Sequence, residues 1–148
     1  MTIEQFLAKE PGQSASVFNE PFTHIGHAII TLKGGQEMRW LYDDGEERMI
    51  SVVADEDELV LFEKIQELIE AEDEAVLYQN KEYEFTYADA GMVTEVVGES
   101  VTEVKDKYTF TDYEAQNGEL IRIINNENTG ENSAYLGRVV GEDDFSEL

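Results

Sequence analysis

With 34 acidic against 10 basic side chains in 148 residues, the chain carries a net charge of −24, a field that repels nucleic-acid phosphates and anionic membrane surfaces. The absence of cysteine excludes disulfides, thiolate metal ligands and cysteine nucleophiles, and it suits a reducing compartment. Hydrophobic content of 41% supports one domain with a real core, while no basic segment leads into a long apolar run near the start and no apolar stretch reaches the ~18 residues of a membrane span, so a soluble cytoplasmic protein without membrane insertion is expected.

Thr2-Ile3-Glu4-Gln5 has the form of a helix capping box, and Ile3, Phe6 and Leu7 share one helical face before Pro11-Gly12, which predicts a short N-terminal helix. Residues 11–22 hold both prolines and several small polar residues and read as an extended connector. It would rest on the β-rich domain of residues 23–148 through Val17, Phe18 and Phe22.

From His27 onward, short β-type runs alternate with turn residues. Ile29 to Lys33 leads through Gly34-Gly35 to the stretch Met38 to Val53, around which the core is expected to form. Asp44-Gly45 between strand-like arms is a strong hairpin signal, because a type I′ turn needs positive φ at both central residues. Taken as the two-residue loop, it pairs Trp40 with Met49, Leu41 with Arg48 and Tyr42 with Glu47. Met38, Trp40 and Met49 then share one face and Leu41, Ile50 and Val52 the other, so the hairpin should be covered on both sides.

The stretch Asp55 to Glu74 fits both periodicities, and a strand through about Ile65 followed by a short helix near residues 66–72 reconciles them. Further strands are expected over Ala75 to Gln79, Tyr83 to Tyr87, Met92 to Val97, Tyr108 to Glu114, Glu119 to Ile124 and Ala134 to Val140. Asn80-Lys81 and Asn117-Gly118 mark turns between them. About ten strands at this spacing give a mainly β protein of two packed antiparallel sheets or paired small barrels. A faint echo, Trp40-x4-Gly45-Glu46 against Tyr113-x4-Gly118-Glu119, raises the possibility of two similar β-subdomains.

Few motifs carry chemistry. His24-Ile25-Gly26-His27 spells the HIGH signature of class I aminoacyl-tRNA synthetases, but it runs into a strand rather than a helix and no lysine-rich partner loop follows. Residues three apart on an extended strand point to opposite faces, so the two histidines would not converge on a metal unless a turn intervened at Gly26. No EF-hand register works around Gly45 or Gly91, and neither a phosphate-binding glycine loop nor a Gly-x-Ser-x-Gly elbow is present. No catalytic residue, cofactor or metal site is therefore assigned.

The strand and turn patterns of Met38-Arg39-Trp40-Leu41, Phe62-Glu63-Lys64-Ile65, Tyr83-Glu84-Phe85, Ala90-Gly91, Val97-Gly98-Glu99, Asp112-Tyr113, Leu120-Ile121-Arg122-Ile123 and Tyr135-Leu136-Gly137 resemble the bacterial domain-of-unknown-function family 4178, over about residues 25–145. The resemblance implies a mostly β module without established activity or assigned catalytic residues. It also implies a cytoplasmic accessory in an envelope-stress or polyamine-linked bacterial system, because genes of this type are often found beside membrane-stress coat proteins and polyamine-synthase-like enzymes.

Three explanations fit the acidity: solubility, a basic protein partner, and mimicry of a nucleic-acid backbone. The favoured function is a non-enzymatic binding or adaptor module. Its candidate acidic surface comprises Asp43, Asp44, Glu46, Glu47, Asp55, Glu56, Asp57, Glu58, Glu142, Asp143 and Asp144, facing a basic protein or a polycation such as a polyamine. The alternative is a small enzyme with an aromatic-lined pocket between two halves.

Overall fold

The computed structural model describes residues 2–43, 47–53, 59–67, 69, 71–72, 74–99 and 102–147. Helix α1 (Ile3–Leu7) is followed by β1 (Ser14–Val17), β2 (Glu20–Leu32), β3 (Glu37–Asp43), β4 (Arg48–Val53), β5 (Leu59–Ile65), β6 (Ala75–Tyr78), β7 (Lys81–Gly98), β8 (Lys107–Glu114), β9 (Leu120–Asn126), β10 (Asn132–Val140), a 3-10 turn (Glu142–Asp144) and β11 (Phe145–Ser146). The capping box forms as the sequence predicts: the Thr2 hydroxyl accepts from the Gln5 amide and the Gln5 side chain accepts from the Thr2 amide.

Eight strands close into an antiparallel barrel in the order β2-β3-β4-β5-β10-β9-β8-β7, with β7 returning to pair with β2. This replaces the expected two sheets or paired small barrels. The cause is the 18-residue β7, whose first half pairs with β6 and β8 and whose second half runs along β2 from Gly91 to Gly98. From the sequence, one strand is expected to end at Tyr87 and the next to start at Met92, with Asp89-Ala90-Gly91 between them. Gly91 instead serves close approach, since a Cβ there would lie 2.6 Å from Ile30 Cγ2 and 2.7 Å from the Thr31 carbonyl oxygen.

The stretch read as a connector is a hairpin of the same sheet. Phe18 and Asn19 take φ of 49° and 61°, the double positive of a type I′ turn, and join β1 to β2 with Val17 opposite Glu20. Pro21 sits at the beginning of β2, where a missing N–H does little harm to the ladder. A second turn of this kind, Gln79-Asn80 at 50° and 65°, joins β6 to β7 one residue earlier than expected.

The barrel interior holds Ala28, Ile30, Met38, Trp40, Tyr42, Met49, Phe62, Val93 and Phe110 among others. Outside, α1, β1 and β11 cover Leu41, Ile50, Val52 and Leu61, with Phe6 stacked on Phe145 at 5.2 Å. The hairpin of β6 and β7 contributes Val76 and Tyr83 to a third cluster, with Tyr113 and Ile121. Strands β3 and β4 are thus buried on both faces, as their composition predicts. Their register differs: Tyr42 pairs with Met49 and Leu41 with Ile50, two residues from the expected pairing. A slip of two preserves the face of every side chain, and the Asp44-Gly45 turn lies outside the described residues.

The expected helix near residues 66–72 is not found among the described residues. Gln66, Glu67, Ile69 and Ala71 are not helical, and Glu72 bridges to Ala75. The helical spacing of Leu59, Phe62, Ile65 and Ile69 arises because β5 buries residues on both of its faces, which blurs the two periodicities.

Candidate functional site

Inward alternation along the strands gathers aromatic side chains at one end of the barrel. Strand β3 supplies Trp40 and Tyr42, β8 supplies Tyr108 and β10 supplies Tyr135, around a cavity of about 390 Å³ that Met49 and Ile124 also line. The rings are fixed by their neighbours. Trp40 meets Tyr108 edge-on at 5.4 Å between centroids, and Phe62 beneath meets Tyr135 edge-on at 6.4 Å. The Trp40 indole N–H donates to Met38 Sδ at 3.1 Å.

The Tyr108 hydroxyl donates to Asp106 at 3.4 Å and accepts from the Asn126 side-chain amide at 3.3 Å. Burial, reinforced by the Asp106 carboxylate, raises the Tyr108 pKa, and burial with Glu131 nearby raises that of Tyr135. Both phenols stay neutral at physiological pH and offer hydrogen bonds without ionising. Around them stand the exposed side chains Glu47, Glu131, Lys64 and Gln66, with the buried Thr102 behind. Volume, aromatic wall and a few polar groups suit the capture of a small organic molecule.

The opposite part of the interior is polar. Arg122 on β9 faces into the barrel, donating from Nε and Nη2 to Asp112 on β8 at 2.7 and 2.9 Å and from Nη1 to the Ser51 hydroxyl at 2.9 Å. Its guanidinium lies over the rings of Phe62 and Phe110, 4.7 and 4.9 Å from their centroids. Both ion-pair partners are at most one-tenth exposed, and they border a second cavity of about 310 Å³ with Gln36, Leu120 and Tyr87. Tyr87 donates to Asp89 at 2.5 Å, and its phenol is pushed up to about 12, by burial first and by that hydrogen bond second.

His24 and His27 stand together, which an even strand would not allow and an irregularity at Gly26 does. A β-bulge between His24 and Gly26 in the pairing of β2 with β3 brings the two rings together, the His24 ring buried and the His27 ring partly so, with His24 Nε2 and His27 Nδ1 3.2 Å apart. Gly26 makes this possible: a Cβ there would fall 2.0 Å from the Glu99 carbonyl oxygen. His24 Nδ1 lies 3.0 Å from the Lys9 carbonyl, so this nitrogen carries the proton and donates. Desolvation first and Arg39 second lower both histidine pKa values. Among the described residues no group of three or more potential ligands could hold a metal ion.

Of the eleven acidic residues singled out from the sequence, Asp44, Glu46, Asp55, Glu56, Asp57 and Glu58 lie outside the described residues. Asp43 is buried at the end of β3, where its carboxylate takes Arg48 Nε at 2.7 Å, Arg48 Nη2, and the Thr23 amide at 2.7 Å. Glu47 is exposed beside the aromatic cavity. Glu142, Asp143 and Asp144 follow the far end of β10, whose near end supplies Ser133 and Tyr135 to that cavity. Glu142 there accepts from the Ile3 amide and Asp144 from the Gly141 amide. The described members therefore do not meet in one patch.

The aromatic cavity and the Arg122–Asp112 pair were not singled out from the sequence, although both left a trace in it. Trp40 and Tyr42 lie two apart near one strand end, and Asn117-Gly118 fixes a hairpin that sets Asp112 opposite Arg122.

No helix among the described residues is long and apolar enough to cross a membrane. No curated protein and no solved structure matches the chain. The family described as domain of unknown function DUF4178 matches residues 10–142, nearly the whole length and all eight barrel strands. The chain belongs to the DUF4178 family.

Proposed function

We propose that the domain is a non-enzymatic binding module whose ligand seats in the aromatic end of the barrel. The observation that carries this reading is the cavity of about 390 Å³ walled by Trp40, Tyr42, Tyr108 and Tyr135, within the ordinary size range of small-molecule sites. Trp40 is held against Tyr108 and Tyr135 against Phe62, so the site is largely formed before a ligand arrives, which lowers the ordering cost of binding. In this reading the charge of −24 supplies solubility and long-range attraction of cations, while the cavity supplies affinity.

The chain has a single tryptophan and it lies in the cavity wall, so intrinsic fluorescence reports on occupancy directly. A fragment screen read by Trp40 emission should yield ligands whose binding is weakened by Tyr135→Ala. Hits whose affinity ignores that substitution, or a screen without saturable hits, would overturn the reading.

A further inference from the structure

We propose that the aromatic end of the barrel selects a small organic cation, a quaternary or primary ammonium compound free in solution. The inference rests on the binding reading above and adds the ligand class. Three observations converge on it. Trp40, Tyr42, Tyr108 and Tyr135 wall the cavity, and aromatic rings attract an ammonium group through their quadrupole, tryptophan most strongly. Of the charged groups around the cavity two are carboxylates, Glu47 and Glu131, against one ammonium, Lys64. The whole chain at −24 raises the local concentration of cations and lowers that of anions.

The ligand classes respond differently to this arrangement. A neutral apolar molecule gains only from burial. An anion gains the same burial and is opposed by the two carboxylates and by the net field. An organic ammonium gains from burial of its carbon skeleton, from the rings and from the carboxylates together. Neutral Tyr108 and Tyr135 hydroxyls add acceptors for any N–H that the cation carries.

The test uses three probes of matched shape: choline, its neutral isostere 3,3-dimethylbutan-1-ol, and the anion 3,3-dimethylbutanoate. Each is titrated into the full chain and followed by Trp40 fluorescence and by calorimetry. Choline should bind at least about tenfold more tightly than the neutral alcohol, and the anion most weakly. Glu131→Gln should weaken choline about two- to fivefold while leaving the alcohol unchanged, and Glu82→Gln on the β6–β7 hairpin should change neither. Equal binding of choline and the alcohol, tighter binding of the anion, or indifference of choline to Glu131→Gln would overturn the assignment of ligand class. If apolar neutral fragments bind at Trp40 and choline does not, the cation assignment falls and the cavity reading stands. If nothing binds at Trp40, both fall.

Discussion

Removing one partner of the Arg122–Asp112 pair should unfold the barrel more readily than any surface change. In Asp112→Ala, Arg122 loses two charge-assisted hydrogen bonds of 2.7 and 2.9 Å and is left with Ser51, a weak contact to Met38 Sδ at 3.7 Å and two ring faces to offset a buried positive charge. An uncompensated buried charge of this kind costs about 3–5 kcal/mol. At about 2–4 °C per kcal/mol for a chain of this size, the midpoint of thermal unfolding should fall on the order of 10 °C. The double variant Arg122→Met/Asp112→Leu removes both charges and fills similar volume, so it should recover to within about 1–2 kcal/mol of the parent, with the unpaired Ser51 hydroxyl accounting for most of the remainder. Urea denaturation of the parent, Arg122→Met, Asp112→Leu and the double variant closes a mutant cycle, with Asp112→Ala measured beside it. A loss below about 1 kcal/mol in Asp112→Ala, or a double variant as unstable as the single ones, would refute the view that the pair matters chiefly by mutual neutralisation.

Three further outcomes follow from the packing. Asp43→Ala, which leaves the Thr23 amide without its acceptor and reduces Arg48 to Glu20 and the Pro21 carbonyl, should destabilise the fold by about 2 kcal/mol in urea titration, whereas Asp143→Asn should stay within about 0.5 kcal/mol. Gly26→Ala should cost at least about 1–3 kcal/mol because β7 must move away at Glu99, and the NMR signature of the His24–His27 contact should vanish with it. Both histidines are held below their ordinary pKa, so the unfolded chain binds more protons there: stability is present above about pH 6.5 and declines as the pH falls through the depressed folded values. His24→Gln should flatten that part of the pH–stability curve, and an unchanged slope would contradict the assignment.

Much of the architecture was legible because local chemistry carried it. The Thr2–Gln5 capping box, the two-sided burial of β3 and β4 and the Asn117-Gly118 hairpin all follow from residue types at fixed spacing. Closure was not legible, because it depends on β7 continuing through Asp89-Ala90-Gly91, and a glycine that permits close approach looks in sequence like one that ends a strand. The helix expected near 66–72 is not found among the described residues for a related reason: a strand buried on both faces loses its period-two signal. The histidine contact was legible only as an exception conditional on Gly26, because a bulge adds one residue to one strand and alternation counted along the chain then assigns the wrong face. The candidate site was the least legible part. Its four aromatic residues come from β3, β8 and β10, and only the barrel brings them to one end.

The measurement closest to the central claim is a heteronuclear NMR titration of the full chain with the strongest hit of the Trp40 screen. The chain has one indole N–H, so its signal identifies the cavity without ambiguity. Binding at the aromatic end predicts saturable shifts of the Trp40 indole and of amides near Tyr42, Ile124 and Tyr135, with residues 75–84 unmoved. Shifts confined to residues 75–84 or to the neighbourhood of His24 and His27, with a stationary indole signal, would contradict it.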